Sequence, residues 1–490
     1  MLSKTDNQPN FFDEYVYGRL IPKEHILVQI REKIDFSFVE EETRDLYRID
    51  FGRPAYPAEV MFRILFLEYY YNHSDVDIAQ RCKHDILYRY FVGLRIEDAT
   101  PDDTSLVVFR KRLGAERFER IFDVLVKRCQ EAGLLKERMK VIDASKVIAD
   151  TGIVSLVNLM RHGRRKILRG LQKQNGKRFR EIIKAGYYTK KKEYKDVGAE
   201  ELKREVEISK AFISEMGPEI NKYSKDVRDN LEALKKVVSG EKEDRITSFS
   251  DTDARFGKTS KEKEGGFCGY KVHISEDESE IVTSVDLLKG NENEGSHLKE
   301  LLEKDESKGI KSDAVTADAK YDSGDNYQEI ESRGMKPYLA FNPGSRRKWP
   351  GFKYRREQDA VECPCGKMST GKVKQERGHL FCFSKKDCRP CPRIGECLKA
   401  GEDRARVFVR GEHIHSQEKP YLAAMLVRKM IERKFAEAKK WHKFSRTRYR
   451  GQWRVKIQAL MTFFVINIKR IVRLFKKKRL RQAWEALSFT

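Results

Sequence analysis

Long apolar runs are missing from this chain. The longest, Ile457 to Ile468, is about a dozen residues and is broken by Gln458, Thr462 and Asn467. Crossing a bilayer takes roughly 20. The opening MLSKTDNQPNFFDEY also lacks the apolar stretch of a secretory leader. Both absences predict a chain that works in the cytoplasm. Cysteine is scarce, with nine in 490 residues. That argues against a disulfide framework and leaves thiols or metal ligands. No internal repeat or low-complexity tract stands out. Acids are nearly absent from one end. Between Arg428 and Arg481 there are twenty lysines and arginines against two acids, Glu432 and Glu437, so most of the chain's net charge of +24 lies there. Such clustering is the footprint of a polyanionic partner. Charge alone leaves DNA, RNA and an anionic membrane surface open.

The length suggests two to four domains, and it is enough to bury a real core despite 36% charged residues. From Leu46 to Arg120 the pattern is helical. Val60, Ile64, Leu65 and Leu67 mark a buried helix with Pro57 near its start. Ser74 and Asp77 make a capping pair for the next. A third covers Ile86 to Phe91, and a fourth follows the turn at Pro101 and carries Arg110, Lys111 and Arg112. Short helices with tight joints fit a helix-turn-helix-like DNA module, or a plain bundle packed on the next domain. Met139–Ile142 reads as a strand running into Asp143. Residues 155–240 are helical and basic; Arg161–Arg169 and Lys190–Lys192 either track phosphates or belong to a solvated insert. Strands return at Phe267–Ser275 and Ile281–Leu287 as an antiparallel hairpin. Ala314–Ala317 is a short strand ending at Asp318. From Lys336 to Glu412 Pro, Gly and Cys rise, so loops and short strands are expected. A long helix follows Pro420, and another apolar-periodic helix covers Trp453 to Leu474 before the basic tail KKKRLRQ.

Three acids stand out. Asp143 and Asp318 follow strands, and Glu432 sits on the late helix RKMIERKFAEAK. Arg428, Glu432 and Lys439 share one face of that helix, beside an apolar stripe of Ile431 and Phe435. Metal-assisted phosphoryl transfer needs such a set: hard oxygen ligands for two Mg²⁺ ions about 3.5–4 Å apart, with cations beside them for phosphate. Taken singly, each acid also reads as a turn residue or a surface glutamate.

In combination these motifs resemble the DDE transposases of bacterial insertion sequences, over about residues 45–472. Arg428, Glu432 and Lys439 stand at the spacings of that family's third-acid signature, Tyr-x2-Arg-x3-Glu-x6-Lys, with Met425 at the tyrosine position. VIDAS around Asp143 is similar to the first-acid strand, and ADAKYDS around Asp318 to the second. SDTDARFG, GYKVHIS and RTRYRGQW resemble further elements of one branch, and residues 46–125 its N-terminal helical domain. The resemblance implies an α/β multi-domain protein with an RNase H-like mixed-sheet core. It implies a catalytic and Mg²⁺- or Mn²⁺-binding triad of Asp143, Asp318 and Glu432. Arg428 and Lys439 would contact phosphates. The activity implied is nicking at the terminal inverted repeats of an insertion sequence, then attack of the freed 3′-hydroxyl on target DNA. Double-stranded DNA, a homodimer and a nucleoid-associated cytoplasmic location follow by analogy.

The domains expected are a helical DNA-binding domain at 1–130, and the first part of the catalytic core at 131–335 with its helical insert at about 155–240. A Cys-rich insertion spans 336–415, and the rest of the core with the basic tail spans 416–490. Cys363, Cys365, Cys388, Cys391 and Cys397, with Cys382 and His379 nearby, have the short spacings of a structural Zn²⁺ site or of reduced thiols in a loop-rich insertion. His442, Arg446, Arg448 and Arg450 interleave with Trp441, Tyr449 and Trp453, a pattern for DNA contact or for a solvated helix end. Glu294 is an extra acid: a site contributor or a helix N-terminal residue. The rival functions are a transposase-derived DNA-binding protein without chemistry, a nuclease that stops at cleavage, and an RNA- or membrane-surface-binding protein.

Overall fold

The computed structural model describes residues 11–47, 55–152, 154–189, 198–241, 244–258, 265–341, 351–375, 378–398, 402–410 and 419–475. The tail at 476–490 and Lys190–Lys192 lie outside these residues.

A mixed sheet forms the centre. Strand β1 (Met139–Ile148) pairs antiparallel with β3 (Phe267–Asp277) and parallel with β5 (Ala314–Ala317). β6 (Lys336–Leu339) continues the parallel side, while β4 (Val282–Lys289) and the short β2 (Arg255–Gly257) pair with β3. The order β4-β3-β1-β5-β6, with β3 alone running against its neighbour β1, is the RNase H-like arrangement. β5 is buried at all four residues, as a strand covered on both faces must be. β6 belongs to this sheet, so the sheet extends into the span assigned from sequence to the Cys-rich insertion. β1 also runs further than the sequence suggested. It continues past Asp143 to Ile148 because β3 keeps supplying partners, out to Gly269. Only glycine fits there: a Cβ on Gly269 would lie 2.1 Å from the Val147 carbonyl oxygen.

One face of the sheet is covered by helices Leu298–Ser307 and Gly324–Ser332, whose Leu298, Leu301, Leu302 and Ile330 pack on Ile142, Val315 and Ala317. The other face carries helix Gln452–Leu474, which is buried nearly all round. Two of its three polar interruptions, Asn467 and Gln458, have partners among the described residues, and the buried Thr462 hydroxyl has none. The Asn467 amide bonds both the N–H and the C=O of Val282 at the start of β4 (2.9 and 2.8 Å), and Gln458 accepts from the Arg448 N–H at 2.8 Å. The N-terminal helices wrap this same helix. Phe464 meets Phe62 edge-on at 5.1 Å and Phe36 at 6.4 Å. Helices Ala58–Tyr71 and Asp103–Glu131, the sheet and the C-terminal helix therefore share one hydrophobic core. Of the basic residues Arg110, Lys111 and Arg112, Arg110 points inward, paired with Asp75 and, at 3.1 Å, with Glu68.

The helices between 156 and 239 form a satellite body around Ile167, Phe212 and Leu231. Arg161 and Arg164, expected on a phosphate-tracking or solvated face, are buried there against Glu205. Arg161 also pairs with Glu201, so both guanidiniums are used up in buried ion pairs whose breaking is strongly destabilising; they hold helices together and do not track phosphates. The Cys-rich segment contains a hairpin (Lys353–Arg355 with Ala360–Glu362) and a three-stranded sheet ending in Arg406–Arg410.

Because Phe464 joins the N-terminal helices to the rest of this core, Phe464→Ala should cost about 3–5 kcal/mol. Urea unfolding followed by tryptophan fluorescence and by far-ultraviolet dichroism should show one shifted transition for both probes. A loss below about 1 kcal/mol would mean the ring is not a core contact.

Candidate active site

The parallel register of β1 and β5 sets up the site. Ile142 stands opposite Ala317, so the next residues, Asp143 and Asp318, are neighbours on adjacent strands. β5 ends there and turns into a short 3-10 segment, with the Asp318 carboxylate accepting from the Lys320 N–H at 2.9 Å. β1 loses its partner on that edge, and among the described contacts Asp143 accepts from the Ala144 N–H at 2.7 Å. Two carboxylates are thus held side by side where the sheet opens. Burial, and then the charge on Asp318, push the Asp143 carboxyl up to about 7, against the pull of Arg428. Burial also raises Asp318, while Lys320 and Arg428 oppose it. Paired, half-buried oxygen donors with few hydrogen bonds suit a hard divalent cation, which would offset their repulsion.

Helix Lys419–Trp441 crosses this end of the sheet. Ile431, Phe435 and Ala438 pack into the core, and Arg428 and Lys439 lie on the side whose charges reach Asp143. Burial and the nearby Lys146 lower the Lys439 ammonium from its usual value. Glu432 shares that side but sits at its solvent edge: its side chain is 61% exposed, and the Arg428 guanidinium is 3.8 Å away. The structure therefore brings Asp143, Asp318 and Arg428 together and leaves Glu432 outside. Among the described residues no three His, Cys, Asp or Glu side chains are grouped closely enough to hold a metal ion.

Glu294 is the acid that lies beside the pair. It is buried just after β4, takes Lys271 at 2.6 Å and also pairs with Lys320. Burial would raise its carboxyl, but those two ammoniums hold it below the usual range. The Glu294–Lys320 pair places a cation next to Asp318 and Asp143. Lys320 was visible in ADAKYDS, but nothing in the local sequence linked it to Glu294, 26 residues away. Beneath the site, His273 and Tyr321 stack at 5.8 Å, both fully buried. Among the described residues neither imidazole nitrogen nor the phenol has a hydrogen-bond partner. Burial drives His273 down to about 3, so it is a neutral spacer.

The aromatic-basic segment after the helix divides in two. His442 is buried, with Nδ1 2.8 Å from the Tyr69 carbonyl oxygen. Arg448 bonds Glu68 at 3.1 Å, the His73 carbonyl at 3.0 Å and the Asn72 amide. Both were expected to contact DNA. In this structure they are committed to the N-terminal helices, because Glu68 is a buried acid that needs Arg110 and Arg448 as counter-charges. Arg446 and Arg450 are exposed, the latter 3.3 Å from Asp150.

These environments have measurable consequences for stability. An aspartate titrates near 3.9 in an unfolded chain, so the raised Asp143 carboxyl leaves stability intact below about pH 4. It erodes stability as pH climbs through about 7. In chelator-treated protein Asp143→Asn should be more stable than wild type by on the order of 1–3 kcal/mol at pH 8 and equal to it near pH 4. A gap that does not change with pH would refute the raised carboxyl. Arg448→Ala should cost about 2–4 kcal/mol by stranding Glu68, whereas the exposed Arg446→Ala should stay within about 0.5 kcal/mol. Equal effects on thermal unfolding would remove the distinction.

Residues 15–112 match the family described as Transposase domain (DUF772), and residues 241–468 match the Transposase DDE domain. The second span holds Asp318, Glu432 and Glu294. It starts beyond the helical insert and so leaves out β1 with Asp143. No helix among the described residues is long and apolar enough to cross a membrane. DNA transposition is thus the activity of this chain's family, and divalent cations are the general cofactors of such enzymes. A DDE domain built on an RNase H-like sheet, joined to a second transposase domain over the N-terminal helices, makes this chain a member of the DDE transposases.

Proposed function

We propose that this transposase cuts DNA at the terminal inverted repeats of an insertion sequence and joins the freed 3′-hydroxyl ends to target DNA. Asp143, Asp318 and Glu432 would hold the divalent cations, Mg²⁺ or Mn²⁺. When bound, such ions supply charge neutralisation for a phosphoryl transfer and activation of the attacking oxygen. The observation that carries the reading is the adjacency of Asp143 and Asp318 at the open end of the sheet, with Arg428 beside them.

The protein's own groups have separable tasks. Asp143 and Asp318 present oxygens into the opening between β1 and β5. Arg428 and Lys439 flank them and can take phosphate oxygens, offsetting repulsion between carboxylates and DNA. The Glu294–Lys320 pair keeps a fixed positive charge next to Asp318. Glu432 completes the set by swinging away from Arg428. An exposed ion pair of this kind is worth about 0–1 kcal/mol, so the move costs little. Arg446 and Arg450 extend the cationic surface. Two copies of the chain bridging two transposon ends, and an N-terminal region at 1–130 acting as a DNA-binding domain, belong to the same reading. A nuclease that stops at cleavage is the second reading, since the same acids serve both.

The test uses a labelled duplex carrying the element's own terminal repeat, with Mg²⁺. Wild type should nick at the repeat boundary and then join ends to a target plasmid. Asp143→Asn, Asp318→Asn and Glu432→Gln should each lose at least about 100-fold in nicking while still binding the duplex. Nicking without joining would favour the nuclease. Binding without nicking in the wild type would remove catalysis altogether. Nicking that survives Glu432→Gln but not Glu294→Gln would transfer the third-acid role to Glu294.

A further inference from the structure

The Cys-rich segment contains a feature that DNA cleavage does not use. Five of the nine cysteines, Cys363, Cys365, Cys388, Cys391 and Cys397, line one cavity of about 240 Å³. Four of them come from two tight turns. In the first, Gly366 N–H bonds the Cys363 carbonyl at 2.9 Å and Cys363 N–H bonds the Lys367 carbonyl at 2.8 Å. In the second, Cys391 N–H bonds the Cys388 carbonyl at 3.1 Å. Each turn presents a pair of thiols, Cys-x-Cys and Cys-x-x-Cys. The Cys365 and Cys391 sulfurs, one from each turn, are 3.5 Å apart. A tetrahedral Zn²⁺ site with Zn–S bonds of about 2.3 Å has sulfurs about 3.8 Å apart. Two sulfurs also accept backbone N–H groups: Cys363 from Lys367 at 3.3 Å and Cys388 from Ala405 at 3.5 Å. Such donors are the outer hydrogen bonds expected around a metal-bound cysteine.

The segment is also poorly supplied with core. Its hydrophobic cluster contains six buried residues, among them Val361, Phe381 and Phe383. A core that small seldom holds a unit of this length without a staple. Every cysteine is a free thiol in this structure, so no disulfide provides it.

We infer that this cavity is a structural Zn²⁺ site, closed by four of the five thiolates. In this structure the sulfurs do not converge on one point. Small side-chain rotations about the two turns would bring them there, and five donors for four positions leave one to spare. Four sulfur ligands close the coordination shell, so the ion has no open position for substrate. Its effect reaches the active site mechanically. The strand that ends this segment carries Arg410, which pairs at 2.9 Å with the buried Asp322, four residues after Asp318. The ion thereby braces the turn that presents the second acid.

The test is metal analysis of the full-length protein, purified without chelator from zinc-supplemented medium. Wild type should carry about one zinc per chain by mass spectrometry, released in proportion as an organomercurial titrates the thiols. Because one ligand can be replaced by the spare, the informative variant is the double Cys388→Ser/Cys391→Ser, which leaves three thiols and should fall below about 0.1 zinc per chain. Cys382→Ser, whose thiol does not line the cavity, should keep its zinc. Wild-type protein that neither co-purifies with zinc nor binds it when added would overturn the inference. So would a Cys365–Cys391 disulfide in the protein as purified under reducing conditions, or zinc retained by the double variant.

Discussion

The parallel pairing of β1 with β5 is the constraint on which the site depends. It brings together residues 175 positions apart, and its register decides which side chains are neighbours. In a strand pair a slip of one residue would turn every side chain to the other face and separate Asp143 from Asp318. Several contacts lock that register from outside the pair. Lys140 on β1 is buried and bonds Asp305 at 2.7 Å. Asp305 is itself held by Ser275 and Thr283 at 2.8 and 3.0 Å and by Ser284 at 2.6 Å, from β3 and β4. An interior carboxylate with one close ammonium and three hydroxyls is satisfied enough to be stable, and shifting β1 would strand it. The polar interior of the sheet thus fixes a geometry that the apolar core, tolerant of small slides, would leave loose.

The same logic explains why the N-terminal helices are inseparable from the catalytic sheet in this structure. Helix Gln452–Leu474 needs cover on the side away from β4, and Phe36, Phe62 and Phe118 belong to the core that supplies it. Glu68, buried between the two regions, is pushed up to about 7 by burial and is steadied by Arg110 from one side and Arg448 from the other. A charge network across a packing boundary adds direction to what hydrophobic contact alone leaves unspecified. It also commits Arg448 and His442 to the fold, so the segment after residue 440 offers less free charge than its composition suggests.

Much of this was legible from residue patterns. Alternation in Phe267–Ser275, the apolar period of Ala58–Tyr71 and the Ser74 cap each fix a local element, and each occurs where its pattern predicts. The two aspartates were legible because the motifs around them are distinctive, although an acid after a strand is by itself an ordinary turn residue. What was not legible is long-range. Nothing local says that β1 continues past Asp143, since that depends on the length of β3. Nothing in RHGRRKILR separates a phosphate-tracking face from a buried pair, since that depends on Glu205, some forty residues away. A cluster of basic residues reports total charge and not which charges face water. Arg164, with 1% of its side chain exposed, is the clearest case.

Electrostatics at the sheet opening then joins the fold to its chemistry. Two half-buried carboxylates side by side are an unfavourable arrangement: burial first, and then the charge on Asp318, raise the Asp143 carboxyl. A fold keeps such a pair when something positive meets it. Three cations stand within electrostatic reach, and each is committed differently. Lys320 is tied to Glu294, Arg428 lies along a helix whose acid faces solvent, and Lys439 is burdened by Lys146. None of their charged ends bonds either aspartate among the described contacts; Asp143 and Asp318 accept backbone N–H groups, from Ala144 and Lys320, and keep oxygens toward the gap between β1 and β5. Positive charge held near the pair but not on it lowers the cost of bringing a polyanion to that gap, while leaving the aspartate oxygens available as ligands. A direct Arg–Asp pair in the same place would stabilise the fold more and would close the site.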